Sequence, residues 1–420
     1  MELGDHLFRR EAGRMVAALT RLFGVHNLAL AEDVVQDAFC RALEVWKLRG
    51  VPENPSAWLL QTAQNRALDQ ARRATVWRRK QTALTTLAED SARATAGEPA
   101  ARFEDEIADS QLRMMFVCSH PGLPADAQVA LILKTLCGFG EGEIASAFLA
   151  AEDAIVKKLF RARKFLRDTR VPMELPPASR LAPRVASVQR ALYLLFNEGY
   201  KASHGDSLLR ADLCTEAIRL GELLAAHPLG DRPETHALLA LMQLNAARLP
   251  ARVDAAGSLL LLAAQDRSLW DQARVRRGMA HLAASTGGAQ LSRYHLEAGI
   301  AACHCLAPDF ATTDWGQILK LYDLLAELDP SPVIALNRAI ALARVNGAGA
   351  GLDALAAMPR RHALARYYLF HAVQGQLLSE AGRPAEAAVA FNRALAHAPQ
   401  VVERRFLRER FAACAAQSGQ

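Results

Sequence analysis

Cysteine and histidine side chains are the groups in this chain best suited to binding a metal ion. They lie close together twice, at Cys303-His304-Cys305 and at Cys118-Ser119-His120. A tetrahedral zinc site needs four ligands around one ion, but residues two apart on a helix point in different directions. Because no second cluster of such residues lies nearby in the sequence, we expect no metal site at either place.

The sequence also lacks the patterns with which many enzymes hold phosphate groups. It contains neither a Walker loop nor the glycine fingerprint of dinucleotide binding. Polar residues at Asn197-Glu198 and Tyr200, and again at Asp266-Arg267 and Trp270, are interpreted as buried networks that tie helices together. The chain is therefore predicted not to be an enzyme and to need no cofactor.

Lysine and arginine are concentrated in two short windows. Six basic residues and one acid lie between Arg66 and Lys80, and seven basic residues and one acid lie between Lys157 and Arg170. The formal net charge of the whole chain, +6, hints at a polyanionic partner but decides little. The windows are more informative because compact basic helices neutralise phosphates, and they indicate two separate contacts with nucleic acid.

The elements that must position these residues are helices. Helical periodicity dominates and alternating β-branched runs are nearly absent, so the predicted fold is all-α. A helix that follows Gly24 is expected to bury one face, while its opposite face carries Asp33, Asp37, Arg41 and Glu44. The residues assigned to the buried face are Val34, Val35, Ala38, Phe39, Ala42, Leu43 and Trp46.

Both basic windows follow helix signals of their own. Asn54-Pro55 combines an N-cap residue with proline at the first helical position and predicts a helix that runs to about Arg73. The second window belongs to a helix from about Glu152 to Arg167, preceded by a short helix over about 142–148. This sequence of elements is typical of a helix-turn-helix. Its last helix is expected to turn Ile155, Leu159, Ala162 and Leu166 inward and Lys157, Lys158, Arg161 and Lys164 outward.

The remaining chain divides at two breaks. Small polar residues predominate over 81–103, which predicts a linker, and three prolines within 172–177 stop any helix there. From about Ser179 onward Ala/Leu-rich helices follow one another, which predicts a degenerate helical solenoid. One stretch fits a 34-residue tetratricopeptide unit, in which small residues let two helices approach. The matching positions are Gly375, Ala387, Phe391, Ala394 and Pro399.

Taken in order, three N-terminal segments resemble bacterial sigma factors of the extracytoplasmic-function group. They are Ala31-Glu-Asp-Val-Val-Gln-Asp-Ala-Phe39, Trp58-Leu-Leu-Gln-Thr-Ala-Gln-Asn-Arg-Ala-Leu-Asp69 and the predicted helix-turn-helix over 141–164. The C-terminal half resembles the tetratricopeptide-like extension of one sigma subgroup, through the segments 192–200, 265–270 and 332–338. The resemblance implies four parts: sigma region 2 over 1–80, the linker over 81–103, a region 4 helix-turn-helix over 104–170 and a TPR-like helical domain over 179–420.

The same resemblance gives roles to individual residues. The acidic helix face docks on RNA polymerase in the resembling proteins, which makes Asp33, Gln36 and Asp37 the predicted core polymerase-binding residues. The predicted −10 DNA-binding residues on the third helix are Asn65, Arg66, Asp69, Arg72 and Arg73. The predicted −35 DNA-binding residues are Lys157, Lys158, Arg161, Arg163 and Lys164. Trp58 is interpreted as a core residue, and for Trp77 a base-stacking role and a structural role both stay open.

The function implied is that of a cytoplasmic sigma factor that directs core RNA polymerase to promoter DNA. Its C-terminal solenoid is hypothesised to regulate initiation, and a regulatory protein is a third candidate partner. No apolar run approaches the ~20 residues that span a bilayer and no signal-peptide pattern is visible, so no membrane contact is expected. Two alternatives stay open: a stand-alone helix-turn-helix regulator with a solenoid sensor, and a solenoid scaffold whose basic helices bind RNA.

Overall fold

The computed structural model describes residues 2–73, 100–148, 150–174, 178–201, 209–254, 260–288, 291–359 and 361–418. Within these ranges the regular elements are helices, which confirms the predicted all-α fold. None of the described helices is both long enough and apolar enough to cross a bilayer.

The chain forms two compact units, and each is described by itself. The first comprises Met1–Leu195 with Glu222–Gly230, and the second comprises Phe196–Gly221 with Asp231–Gln420. Helices of the first unit are α1 Glu2–Phe23, α2 Leu28–Arg49, α3 Pro55–Arg73, α4 Ala100–Cys118, α5 Ala125–Thr135, α6 Glu141–Ala147 and α7 Glu152–Thr169. Two helices contribute residues to both units, α8 Ala178–Tyr200 and α9 Ala211–Ala225.

Apolar side chains buried between helices hold the first unit together. Helix α1 packs against α2 and α4, α2 packs against α3, and α7 packs against both α5 and α6. Among the described residues, the largest fully buried side chains all belong to this unit: Met15, Leu19, Phe23, Leu59, Leu60, Met114, Met115, Phe116, Leu131, Ile132 and Phe139. Burial of these side chains, at about 1.5–3 kcal/mol each, stabilises the packing of α1, α3, α4 and α5. Smaller buried residues such as Val34 of α2 and Ile155 of α7 pack the other two helices.

Local signals in the sequence place most helix ends of the first unit correctly. Helix α1 ends before Gly24, whose φ of 83° lies in the left-handed region that glycine adopts without strain. The Asn54 side chain accepts a hydrogen bond from the Ala57 amide at 3.0 Å, so it caps α3 as predicted. The predicted linker lies outside the described residues up to 99, and residues 100–103 form the first turn of α4.

The second unit is a succession of helices, each packed against its neighbours in sequence. These helices are α10 Pro233–Ala246, α11 Gln272–Ala284, α12 Arg293–Leu306, α13 Trp315–Leu328, α14 Pro332–Asn346, α15 Ala348–Ala356, α16 Tyr368–Glu380, α17 Pro384–His397 and α18 Val401–Ser418. Short 3₁₀ turns connect several of them.

Helices α16 and α17 pack closely where the 34-residue pattern falls. A Cβ atom added to Gly375 would lie 3.0 Å from the Phe391 ring, so glycine allows this approach. Ala387, Phe391 and Ala394 are buried in the core that joins α16, α17 and α18. The packing predicted for these small residues and for Phe391 is therefore confirmed.

Candidate functional site

The exposed face of α2 carries the three residues predicted to bind core polymerase. Asp33, Gln36 and Asp37 are all exposed, and none has an ion-pair or hydrogen-bond partner for its side chain among the described residues. The opposite face is closed by Ala31, Val34, Val35, Ala38 and Ala42. Two carboxylates one turn apart on an amphipathic helix form an accessible negative stripe that suits a basic partner.

The stripe continues toward the end of α2 as an apolar surface. Leu43 is 60% exposed and Leu48 is 86% exposed, and Cys40 lies exposed between them and Asp37. The expectation that Leu43 is buried is therefore wrong. Leu43 lies seven residues after Gln36, two helical turns along the same side, so the periodicity itself puts it on the exposed face. Sequence reasoning missed this surface by drawing the apolar face too wide.

Helix α3 presents the start of the predicted −10 surface. Asn65 and Arg66 are exposed, whereas Leu59, Leu60 and Ala63 on the other side are buried. Asp69, Arg72 and Arg73 lie in the final turns of α3, and their side chains lie outside the described residues. Trp77 and the basic residues after it also lie outside them.

Trp58 joins α3 to α2 rather than standing free for a base. Its ring is half-buried and lies 5.4 Å from the ring of Trp46, with the two planes tilted by 58°. The Thr62 hydroxyl donates to the Trp58 carbonyl at 2.8 Å within α3. This contact agrees with the interpretation of Trp58 as a core residue.

Helix α7 divides into a buried face and a basic exposed face. Ile155, Leu159, Ala162 and Leu166 are all buried, as predicted. Lys157, Arg161 and Lys164 are exposed on this helix, and Arg167 is exposed in its last turns, paired with Asp168. Phe160, 66% exposed, lies among them. An exposed aromatic ring within a basic surface offers an apolar contact for a thymine methyl group beside cations for phosphates, a combination that residue charge alone did not predict.

Two of the five residues predicted for the −35 contact form ion pairs with other residues of the first unit. Lys158 lies 3.7 Å from the Asp126 carboxylate and above the Phe148 ring, 5.1 Å from its centroid. Arg163 donates from Nη2 to Glu32 Oε1 at 2.8 Å. Both side chains are half-buried, so the structure does not group them with exposed Lys157, Arg161 and Lys164.

Burial opposes the charge of Glu32 in this pair. It raises the pKa of the Glu32 carboxyl, and the Arg163 guanidinium offsets that effect only in part. Arg163 borders the buried face of α7, four residues after Leu159, which explains why it turns inward toward α2 instead of outward. The predicted phosphate-binding residue thus ties α7 to the helix that bears the acidic stripe.

The polar motif around Arg267 in the second unit forms a structural network, as interpreted from the sequence, but Asn197 and Asp266 are exposed, so their predicted place in buried networks is wrong. Arg267 donates to the carbonyl oxygens of His304 and Ala307, each at 2.6 Å, and lies over the Trp270 ring. Asp266 caps its own 3₁₀ turn by accepting from the Ser268 amide. These bonds satisfy carbonyl groups at the end of α12 and fix the loop in front of α11.

A second network joins the ends of α8, α16 and α18 within this unit. Lys201 donates to the Tyr368 hydroxyl at 2.7 Å, and that hydroxyl in turn donates to Glu403. Arg252 lies 3.9 Å from the Tyr200 ring centroid. Burial lowers the pKa of Lys201, although the Glu403 carboxylate beside it acts in the opposite direction. No cluster of metal-binding side chains occurs within the described ranges.

Comparisons with known proteins add independent findings. Residues 7–76 match the model of Sigma-70 region 2, and residues 184–286 match a family of unknown function, DUF6596. The chain is 38% identical over 399 residues to a protein of Rhizobium meliloti (strain 1021) named Uncharacterized protein R00370. That similarity covers 94% of this chain and 91% of the relative. No solved structure matches the chain.

Proposed function

This chain belongs to the same family as the Rhizobium meliloti protein, and from its sigma-70 region 2 domain we propose that it is a sigma factor of the extracytoplasmic-function type. In this proposal it is a dissociable, cytoplasmic subunit that gives core RNA polymerase its promoter specificity. It catalyses no reaction itself, since the polymerase supplies the active site for RNA synthesis.

The observation that carries the proposal is the coincidence of the region 2 match with an exposed docking face. Residues 7–76 include all of α2, and the α2 surface offers Asp33, Gln36 and Asp37, whose side chains have no partner among the described residues, followed by exposed Leu43. A charged stripe beside an apolar patch is the pattern of a helix that binds another helix through complementary charge and apolar packing.

DNA recognition is proposed for two surfaces of the first unit. Asn65 and Arg66, with Asp69, Arg72 and Arg73 farther along α3, would hold the opened strand of a −10 element through stacking and phosphate contacts. Helix α7 would enter the major groove of a −35 element, where Lys157 and Arg161 reach bases or phosphates. In the same proposal Lys164 contacts phosphate. Lys158 and Arg163 contact the DNA only after their ion pairs with Asp126 and Glu32 open.

A regulatory role is proposed for the second unit. Its successive packed helices have extensive surface that no DNA contact requires. The match to the DUF6596 family, over residues 184–286, covers the first part of this unit. A helical array of this kind suits the binding of a regulatory protein or of a small effector. Either ligand would act by changing how much of the protein is competent to bind polymerase.

The decisive experiment is co-elution with purified core RNA polymerase on size exclusion. We expect the full chain to form a complex and the double variant Asp33→Ala/Asp37→Ala to weaken it by about tenfold or more, because two interfacial charges are lost. The matched control is Asp353→Ala/Glu409→Ala, which removes two exposed helix carboxylates of the second unit.

Three outcomes separate the candidate functions. Weakening by the α2 variant but not by its control supports the sigma role and locates the contact. Equal binding of polymerase by wild type and both double variants would show that the contact does not depend on Asp33 and Asp37. A full chain that ignores polymerase yet binds duplex DNA tightly would instead identify a stand-alone helix-turn-helix regulator.

A further inference from the structure

A cavity of about 420 Å³ lies among α12, α13, α14, α16 and α18 of the second unit. This volume far exceeds the voids left by ordinary side-chain packing and falls within the range of small-molecule sites. The cavity has no part in the proposed contacts with polymerase or DNA, all of which lie in the first unit.

Aromatic and aliphatic side chains form most of the cavity wall. Trp315 packs edge-on against Phe310, with ring centroids 5.2 Å apart, and against His304 at 5.3 Å. Ile318 and Leu377, both buried, add branched aliphatic surface. A wall of this composition favours a flat or branched apolar body, since burying such a body removes apolar surface from water.

The charged groups at the cavity leave one cation without a counter-charge. Arg344 donates to Glu380 at 2.8 Å, and the same carboxylate oxygen accepts from Gln376. Arg410 also lines the cavity, but among the described residues its guanidinium has no carboxylate partner and lies only near the Phe406 ring, at 5.6 Å. The three charged side chains therefore leave the cavity with one unbalanced positive charge.

His304 lines the same wall as an uncharged side chain. The residue is 9% exposed, and its Nδ1 atom is buried without a partner among the described residues. Burial, together with the nearby Arg248 and Arg267 guanidinium groups, lowers the pKa of His304 to about 3, so the imidazole is neutral at physiological pH. A neutral imidazole adds no charge to the site, so the positive charge of Arg410 stays unbalanced.

We propose that this cavity binds a small organic carboxylate, with its aromatic or branched apolar body against Trp315 and Phe310 and its carboxylate on Arg410. A carboxylate matches the planar guanidinium better than a neutral group does, and it balances the positive charge of the site. The inference does not rest on the sigma role, since it concerns the second unit and is tested without polymerase or DNA.

Isothermal titration calorimetry of the full chain tests the proposal with defined probes. The probes are 1-naphthylacetate, 3-phenylpropionate and octanoate, together with the uncharged analogue 2-(1-naphthyl)ethanol. We expect saturable binding of at least one acid at a single site, and weaker binding of the alcohol than of 1-naphthylacetate. A bound acid should also raise the thermal unfolding midpoint, because it binds only the folded chain.

The variant Arg410→Gln and its control Arg408→Gln locate the site. Arg408 is exposed and lies two residues before Arg410 on α18, so both variants lose one positive charge from the same helix. Binding of the acid should fall by about tenfold or more in Arg410→Gln, the usual effect of losing a charged hydrogen-bond partner, and should be unchanged in Arg408→Gln.

Several results would overturn the proposal. One is the absence of saturable binding by all three acids at millimolar concentration. Another is equal binding of acid and alcohol, which would mean that the cavity selects apolar bodies without recognising charge. A third is unchanged acid binding in an Arg410→Gln protein that unfolds at the wild-type temperature, which would place the acid elsewhere.

Discussion

Arg163 of α7 donates a hydrogen bond to Glu32 of α2 at 2.8 Å, across 131 residues of sequence. Glu32 immediately precedes Asp33, the first residue of the acidic stripe, whereas Arg163 lies between the exposed cations Arg161 and Lys164 of α7. The pair therefore couples the proposed polymerase-binding helix to the proposed −35 helix. Any rearrangement that separates these two helices must break it.

Removing Arg163 and removing Glu32 should lower the free energy of unfolding by different amounts. Arg163→Gln leaves a half-buried carboxylate without its cation, and we expect it to lower the free energy of unfolding by about 1–3 kcal/mol. Glu32→Gln should cost less, because burial already opposes the Glu32 charge and the uncharged amide avoids that cost. Denaturant unfolding of both variants and of the double variant at pH 7.5 measures the difference and the coupling between them.

Lowering the pH should reduce the loss of unfolding free energy that Arg163→Gln causes. Without the arginine, the pKa of the Glu32 carboxyl in the folded protein lies still farther above its unfolded value, so the folded variant takes up the proton first. The extra destabilisation is present above that raised pKa and disappears as pH falls through it. A gap between variant and wild type that stays constant down to pH 4.5 would contradict this account of the pair.

Phe160 is expected to affect DNA recognition without affecting folding. It is 66% exposed, so Phe160→Ala should change the free energy of unfolding by less than about 0.5 kcal/mol. If α7 reads a −35 element, the Phe160→Ala holoenzyme should discriminate less between promoter sequences. Lys157→Ala should instead weaken binding to all promoter sequences similarly and reduce the salt dependence of that binding. Promoter selection from a randomised library, with Arg405→Ala as an exposed control, tests both effects.

Stability should decline as pH falls below about 6.5, partly through His304. Its pKa is about 3 in the folded protein, so the unfolded chain takes up a proton from pH 6.5 downward while the folded protein does not. Each such group lowers the free energy of unfolding by about 1 kcal/mol between pH 6.5 and 5.5. Burial also lowers the pKa of His281, which acts in the same direction. Unfolding of His304→Gln over this range should show a shallower pH dependence than wild type.

Two glycines inside helices should respond oppositely to alanine. A Cβ atom on Gly13 would lie 2.1 Å from the Leu136 carbonyl oxygen, so Gly13→Ala forces α1 away from the end of α5. We expect it to lower the free energy of unfolding by more than about 2 kcal/mol. Gly349→Ala meets no atom within 4 Å and should stabilise α15 by about 0.5–1 kcal/mol through helix propensity. Thermal unfolding of the two variants side by side measures the contrast.

The sequence was most informative where a local signal decides the structure. The Asn54 cap, the glycine after α1 and the inward face of α7 depend on neighbouring residues only, and the structure agrees with each. The packing of Gly375 against Phe391 was also predictable, because both residues belong to one recognisable helix pair. The interactions that decide these features lie within a few helical turns of the chain.

Sequence reasoning failed where the outcome depends on distant residues. Nothing near Arg163 indicates that Glu32 will accept its hydrogen bond, so the arginine was predicted to face DNA. The exposure of Leu43 is a different case, because the helical periodicity already places it on the side of Gln36 and the predicted apolar face was drawn too wide. The cavity beside Trp315 is assembled from five helices, and no short motif describes such a site.

The two tryptophans that join α2 and α3 give this protein an intrinsic optical signal. Indole rings whose centroids are 5.4 Å apart and whose planes are tilted by 58° have coupled electronic transitions. Coupled transitions produce a bisignate band in ultraviolet circular dichroism, and the band vanishes once the rings separate. The far-ultraviolet spectrum of Trp58→Phe subtracted from that of wild type would therefore isolate the pairing of α2 with α3. Engagement of α2 by another molecule could then be followed without attaching a label.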